Sequence, residues 1–273
     1  MTDTASFHTG AFFGSLPFTA LGIAVLLLLT FAVAVSHKRH SIIDTIWGLG
    51  FSVIALISFG LSSGHGDDGR RVLITVLTCA WGLRLATHIG LRARGMGEDP
   101  RYVDLLAKAP GNPNLYALRS VYLIQGLAMW FVSLPVQVGQ FSCSGLNWLS
   151  WVGVAVWVVG VFFEGVGDFQ LSRFKADPAN KGVVMNRGLW RYTRHPNYFG
   201  DACVWWGLFL VAASAWPGVL TVLSPLVMTF VLARGTGKKL LEGRMGDRPG
   251  FAEYVRSTSG FFPLPPRKAA ADR

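Results

Sequence analysis

Apolar residues fall in long runs separated by short polar stretches. A helix needs about 20 mostly apolar residues to cross the roughly 30 Å hydrocarbon layer of a bilayer. Seven runs reach or approach that length: Leu16–Val35, Ile42–Leu61, Val72–Leu91, Val121–Gly139, Trp148–Gly167, Tyr198–Ala215 and Pro217–Ala233. The last two read as a hairpin turning at Trp216-Pro217-Gly218. The first run has neither a basic segment before it nor a small-residue cleavage site before His37-Lys38-Arg39-His40, so it reads as a span and not as a cleavable signal.

Composition supports the same class. Apolar residues make up 51% of the 273 and charged residues only 15%, against about 25% charged in a soluble domain. The net charge of +10 would suit nucleic acid in a soluble protein, but here its placement decides. With the N-terminus outside, 22 of the 25 Lys and Arg fall in the inner segments 37–40, 92–120, 168–197 and 234–273. That asymmetry follows the positive-inside rule. The expected fold is therefore an all-α integral membrane protein of about seven transmembrane helices, N-out and C-in, with a cavity facing the cytoplasm. Residues 1–273 read as one membrane domain, and 267–273, after Pro263-Leu264-Pro265-Pro266, as a disordered tail. Cys79, Cys143 and Cys203 are too few and too scattered for a disulfide framework, and no Cys/His cluster supports a metal. Nucleic acid is excluded as a partner, and the oligomeric state is not readable.

Ionisable residues within spans are costly and so carry information. Asp44, Arg84, Glu164, Asp168 and Asp201 stand out. Asp44 also reads as a solvated helix-start residue, and Arg84 as a side chain reaching the inner interface. Glu164 and Asp168 are four apart, with Lys175 seven further on, so all three share a face if the helix continues beyond the membrane. Such a face suits hydroxyls or amides. Ordinary helix-end charges are the alternative.

The segment Asn186–Asp201 packs three Arg, one His and two Tyr directly against an apolar span that opens at Pro196. Arg194 and His195 beside a helix start make an anion site fit for a phosphate or pyrophosphate. A basic patch on anionic lipid is the competing reading, although lipid does not account for Asn197 and Asp201 one turn apart inside the helix. After the last span, Arg234, Lys238 and Glu242 keep one helix face, which either closes over the same inner site or lies on the membrane surface. No G-x-S-x-G, P-loop or G-x-G-x-x-G is present.

The run Gly188-Leu189-Trp190-Arg191-Tyr192-Thr193-Arg194-His195-Pro196-Asn197-Tyr198-Phe199-Gly200-Asp201 resembles the C-terminal motif of membrane-bound steroid 5-alpha-reductases and sterol reductases, closest to their uncharacterised bacterial branch. The likeness extends to His40-Ser41, Asp44 and Trp47-Gly48, to Trp81-Gly82-Leu83-Arg84, to Glu98-Asp99-Pro100-Arg101-Tyr102 and to the Glu253-Tyr254 and Phe262-Pro263 tail, so that residues 36–266 form a reductase-like core. The resemblance implies a bacterial inner membrane enzyme with its active site facing the cytoplasm, in which seven helices enclose NADPH and hydride passes to an activated C=C of a lipophilic sterol-, isoprenoid- or fatty-type substrate. It implies that Asn197 and Asp201, with Tyr198, hold the nicotinamide end. It also implies that Glu164, Asp168 and Lys175 form the cofactor face of the fifth span, and that Arg84, Arg92 or Arg94, and Arg234, with Lys238, line phosphates and adenosine.

One departure concerns the substrate. The steroid reductases polarise a ketone with a Glu and a Tyr, and these positions fall on Trp47 and Trp81 here. Asp44, one turn from Trp47 and facing the same way, is then the expected catalytic donor, with Trp81 as a wall of the substrate cavity. An isoprenylcysteine-type membrane methyltransferase using S-adenosylmethionine shares a similar Arg-His-Pro-x-Tyr motif and is the alternative enzyme. A lipid-binding membrane protein without chemistry is the third reading.

Overall fold

The computed structural model describes residues 6–235, 242–243, 245–246 and 248–267. Among them the regular elements are all helical. Helix α1 covers Thr9–His37, and Lys38 ends it in the left-handed region (φ 52). Helices α2 (Ile42–Leu61) and α3 (Asp68–Arg92) follow, α3 starting where the Asp67 side chain accepts from Arg70 N–H. Short α4 (Pro100–Leu106) has Asp99 as N-cap and Pro100 in its first turn, where a missing N–H costs nothing. Helix α5 (Pro113–Gly139) is interrupted by a π-helical stretch at Leu118–Leu123 and by a break at Ser133 ahead of Pro135. Long α6 is Trp148–Ala176, α7 is Pro196–Ala213, α8 is Leu223–Ala233 after a 3-10 turn, and α9 is Phe251–Ser257.

Among the described residues five helices, α1, α2, α3, α5 and α6, are long and apolar enough to cross a membrane. The two remaining expected spans fall short of that measure for different reasons. Helix α7 begins with the polar turn Asn197–Asp201, and the apolar segment Gly218–Ala233 is short. Phe13, Phe18, Leu21, Leu28 and Leu29 of α1 are exposed, as expected of side chains whose solvent is lipid.

The chain divides into two compact units, the first of Met1–Trp151 with Leu208–Ser224 and the second of Val152–Gly207 with Pro225–Arg273. In the first unit α2 and α3 meet backbone to backbone, because a Cβ on Gly48 would collide with the Gly82 carbonyl. Buried polar residues bind this unit together. Gln140, fully buried, donates to the Ala55 carbonyl (3.0 Å) and to Thr75 Oγ1 (3.1 Å). Gln137 Oε1 accepts from Thr19 Oγ1 (2.8 Å), tying α1 to α5. Away from water such groups are costly unless paired, so each pair also fixes register.

Arg70 and Arg71, two of the three basic residues outside the inner segments, are buried. Arg70 donates to the carbonyls of Ser144 (2.9 Å), Gly145 (2.9 Å) and Val211 and to Ser214 Oγ (2.7 Å). Arg71 donates to Ser62 Oγ (2.8 Å) and the Phe59 carbonyl (2.7 Å) and pairs with Asp68. Both therefore meet the orphan carbonyl ends of helices, α7 and α2 respectively, where a cation is favoured.

Candidate functional site

In the second unit, α6 and α7 run together over a ladder of glycines. A Cβ on Gly160 would lie 2.6 Å from the Gly200 carbonyl, one on Gly207 2.7 Å from the Gly153 carbonyl, and one on Gly167 3.1 Å from Pro196 Cγ. Gly153, Gly160 and Gly167 recur every seven residues, as do Gly200 and Gly207, so one stripe of each helix is bare backbone. This close approach positions the polar groups. Asn197 Nδ2 donates to Asp168 Oδ1 at 3.2 Å, joining the first turn of α7 to the end of α6. Glu164, Asp168 and Asp201 are 2%, 5% and 9% exposed, so this is a carboxylate-rich interior with an amide in it. Helix α6 does continue past its apolar run, which puts Lys175, exposed, in its last turn.

The residues before Pro196 are mostly scaffold. Trp190 Nε1 donates to the Gly167 carbonyl (3.0 Å), and Leu189 N–H to Gln170 Oε1 (2.9 Å), docking the loop on α6. The tail holds the loop from the other direction. Tyr254 Oη donates to the Trp190 carbonyl (2.5 Å), Thr193 Oγ1 to the Phe261 carbonyl (2.8 Å), and Arg194 N–H to the Ser259 carbonyl (2.9 Å). Burial first, and then the Glu242 charge, raise the Tyr254 hydroxyl well above its ordinary value against the opposing pull of Arg194, so it stays a donor.

Arg194 and His195 were expected to meet a cofactor directly, and the structure commits their donors to the chain itself. Arg194 donates through Nε to Glu242 Oε1 (2.8 Å) and through Nη1 to the carbonyls of Val255 (3.1 Å) and Thr258 (2.5 Å). His195 Nε2 lies 3.0 Å from the same Glu242 oxygen and must carry a hydrogen there, since a carboxylate only accepts. The His195 ring lies parallel to Tyr198, centroids 5.3 Å apart. Burial alone would raise the Glu242 carboxyl, but the His195 and Arg194 hydrogen bonds and charges hold it down at about 2. Glu242 is thus the residue after the last span that meets this motif. Lys238 lies outside the described residues, and Arg234 is exposed just after α8.

The first unit contains a separate polar cluster around Asp44, in the first turn of α2. Tyr102 Oη donates to Asp44 Oδ1 (2.6 Å) and Arg101 Nη2 to Oδ2 (2.7 Å). Trp47 Nε1 donates to Gln125 Oε1 (2.8 Å), so Asp44 and Trp47 do reach toward α4 and α5 together. Glu98 accepts from the backbone N–H groups of His40, Ser41 and Asp99, fixing the α1–α2 corner. Both Asp44 oxygens accept, one from the Tyr102 hydroxyl and one from the Arg101 guanidinium. Burial, followed by the Asp44 charge, pushes the Tyr102 hydroxyl up. The sequence pointed to Arg101 and Tyr102 only through resemblance. The Asp-Pro helix start that aims them was legible in Asp99-Pro100.

Trp81 is 1% exposed and packs on Phe51 at 5.6 Å between ring centroids. Arg84 is half-buried in α3, while Arg92 and Arg94 are exposed at its end. The structure therefore brings Asp168 together with Asn197, and Arg194 and His195 together with Glu242, whereas Asp44, Trp81, Arg84, Arg92 and Arg94 belong to the first unit.

Residues 30–258 match the family of proteins of unknown function DUF1295. An uncharacterized protein of Schizosaccharomyces pombe is 24% identical over 260 residues, covering 85% of this chain and 74% of that protein. The steroid 5-alpha-reductase DET2 of Arabidopsis thaliana is 30% identical over 95 residues, 34% of this chain and 36% of that enzyme. Both relatives are eukaryotic, so the likeness reaches beyond a bacterial branch. No solved structure matches.

Proposed function

We propose that this chain, which belongs to the DUF1295 family, is a membrane-embedded, NADPH-dependent reductase of an activated C=C in a lipophilic substrate. The observation that carries this reading is the Asp168–Asn197 pair, beside buried Glu164 and Asp201 where α6 and α7 meet over bare glycine. The partial likeness to a steroid 5-alpha-reductase supports it. The donor set fits the cofactor: an amide and carboxylates suit a carboxamide and ribose hydroxyls, and cations suit phosphates. When bound, the nicotinamide supplies hydride.

The chain's own residues then have distinct tasks. Asn197, Asp168 and Asp201 orient the nicotinamide end, and Glu164 meets hydroxyls. The exposed Lys175 and Arg234 are assigned to phosphates. Arg84, Arg92 and Arg94 are assigned to phosphates or adenosine by resemblance alone. Trp81, packed on Phe51, is assigned to the wall of the substrate cavity, behind the surface that substrate meets. Asp44, with Arg101 and Tyr102 on its oxygens, is the proposed donor or acid toward the substrate. We read α7 and the Gly218–Ala233 segment as the sixth and seventh spans, with the N-terminus outside and the cofactor entering from the cytoplasm, because the basic residues lie on that side.

Thermal melting of the detergent-purified chain tests the reading. NADPH at about 100 times its dissociation constant adds roughly 2.7 kcal/mol to stability, and NADPH is expected to bind more tightly than NADH. A shift with S-adenosylmethionine and none with NADPH replaces the reductase by a methyltransferase. No shift with either leaves the lipid-binding reading.

A further inference from the structure

Arg194 and His195 form a buried pair of donors already fitted with an acceptor, the Glu242 carboxylate. Their side chains are 9% and 7% exposed, whereas that of Glu242 is 21% exposed, so the donors lie deeper than the carboxylate that meets them. A guanidinium withdrawn from water is costly unless paired, and both residues direct a donor at the same oxygen, Glu242 Oε1, at 2.8 and 3.0 Å. The second oxygen is poorly used, 3.4 Å from Arg194 Nη2. Meanwhile the Val255 and Thr258 carbonyls accept from Nη1, so the guanidinium has anchors besides Glu242. A phosphate oxygen meets the same donors with more charge and more acceptor positions than a carboxylate.

We propose that Arg194 and His195 form a phosphate-binding subsite, that Glu242 is its internal occupant, and that a phosphate or pyrophosphate group of a nucleotide displaces it. The inference rests on the proposed function for the nucleotide, but not for the anion chemistry. Because the site is held by the chain's own carboxylate, the apparent affinity of an entering phosphate is lowered by the fraction of molecules in which Glu242 is in place. Removing the charge of Glu242 while keeping its shape therefore tightens anion binding, the reverse of what removing a structural clamp does.

The test titrates inorganic pyrophosphate and NADPH into the full chain by calorimetry, for wild type, Glu242→Gln and Glu242→Asp, with a melting curve for each. Glu242→Gln is expected to raise affinity for both by about tenfold. Glu242→Asp, which keeps the charge on a shorter arm, is expected to fall between, and carries the test if the Gln variant does not fold. Unchanged or weakened pyrophosphate binding in the folded variants overturns the proposal and makes the pair a structural clamp. A gain for pyrophosphate without NADPH binding in any form keeps the subsite and removes the cofactor reading. Repeating the titration in nanodiscs with and without phosphatidylglycerol separates the two phosphate sources. A gain abolished by the anionic lipid overturns the nucleotide assignment in favour of a lipid headgroup.

Discussion

Arg70 in the first unit and Asp168 in the second are both ionisable and almost fully buried, yet their surroundings differ in kind. Arg70 is enclosed by carbonyls of a loop and of a helix end, groups that exist wherever a helix stops. Asp168 faces the amide of Asn197 across two helices whose contact stripe has been cleared of side chains. The first arrangement closes a polar inventory at a helix terminus. The second brings two helices closer than ordinary side chains permit and lines the crossing with carboxylates. The contrast teaches that buried charge in a membrane protein marks a site only where the local backbone does not already account for it.

The largest expected effect breaks the first side of that contrast. Arg70→Met leaves several buried acceptors without a donor, and destabilisation of about 3 kcal/mol or more follows. Thermal melting should show it, with NADPH affinity of the surviving folded fraction unchanged. A comparable loss of cofactor affinity would place Arg70 in the site.

Next come the glycines. Gly200→Ala puts a Cβ 2.5 Å from the Glu164 amide nitrogen, and overpacking of this kind costs about 1–3 kcal/mol, with loss of NADPH binding. Gly165, on the same helix as Glu164, has open space at its Cβ, so Gly165→Ala should instead stabilise by up to about 1 kcal/mol through helix propensity. Melting and binding curves of the two variants side by side check the ladder, and equal effects would dissolve it.

Asn197→Ala and Asp168→Ala sharpen the second side. Each should weaken NADPH by about tenfold or more, since a hydrogen bond to a charged group contributes about 1.5–3 kcal/mol, while the protein still inserts and melts cooperatively. Asp44→Asn should leave NADPH affinity alone and lower the melting temperature slightly, because Asn still accepts from Tyr102 but no longer attracts Arg101.

The smallest effect is a pH dependence. The folded value of the Glu242 carboxyl, about 2, lies below its ordinary 4.5. Its contribution to stability is thus complete above 4.5, and fades as pH falls from there toward 2. The melting difference between wild type and Glu242→Gln should shrink over that interval and stay flat above it. A difference that grew on acidification would reverse the assignment.

Much of this was legible in the chain itself. Unbroken apolar runs imposed the five long helices, because hydrocarbon admits few other structures. The i, i+4 spacing placed Glu164 and Asp168 together, and Pro196 announced the start of α7. Local rules also set the Asp67, Asp99 and Asn112 caps. What lay beyond local rules was the partner of each charge. Arg194, read as a ligand contact, meets Glu242, Val255 and Thr258 from 48 to 64 residues away, and Asp44 meets Arg101 and Tyr102 from 57 and 58. The seven-residue glycine stripes were present in the sequence, but their meaning depends on a second helix bringing a matching stripe. Periodicity and burial cost are properties of one segment, so sequence determined which residues leave water. Hydrogen-bond partnership belongs to pairs distant in the chain, so only the tertiary structure decided which buried charges brace the fold and which are gathered at a candidate site.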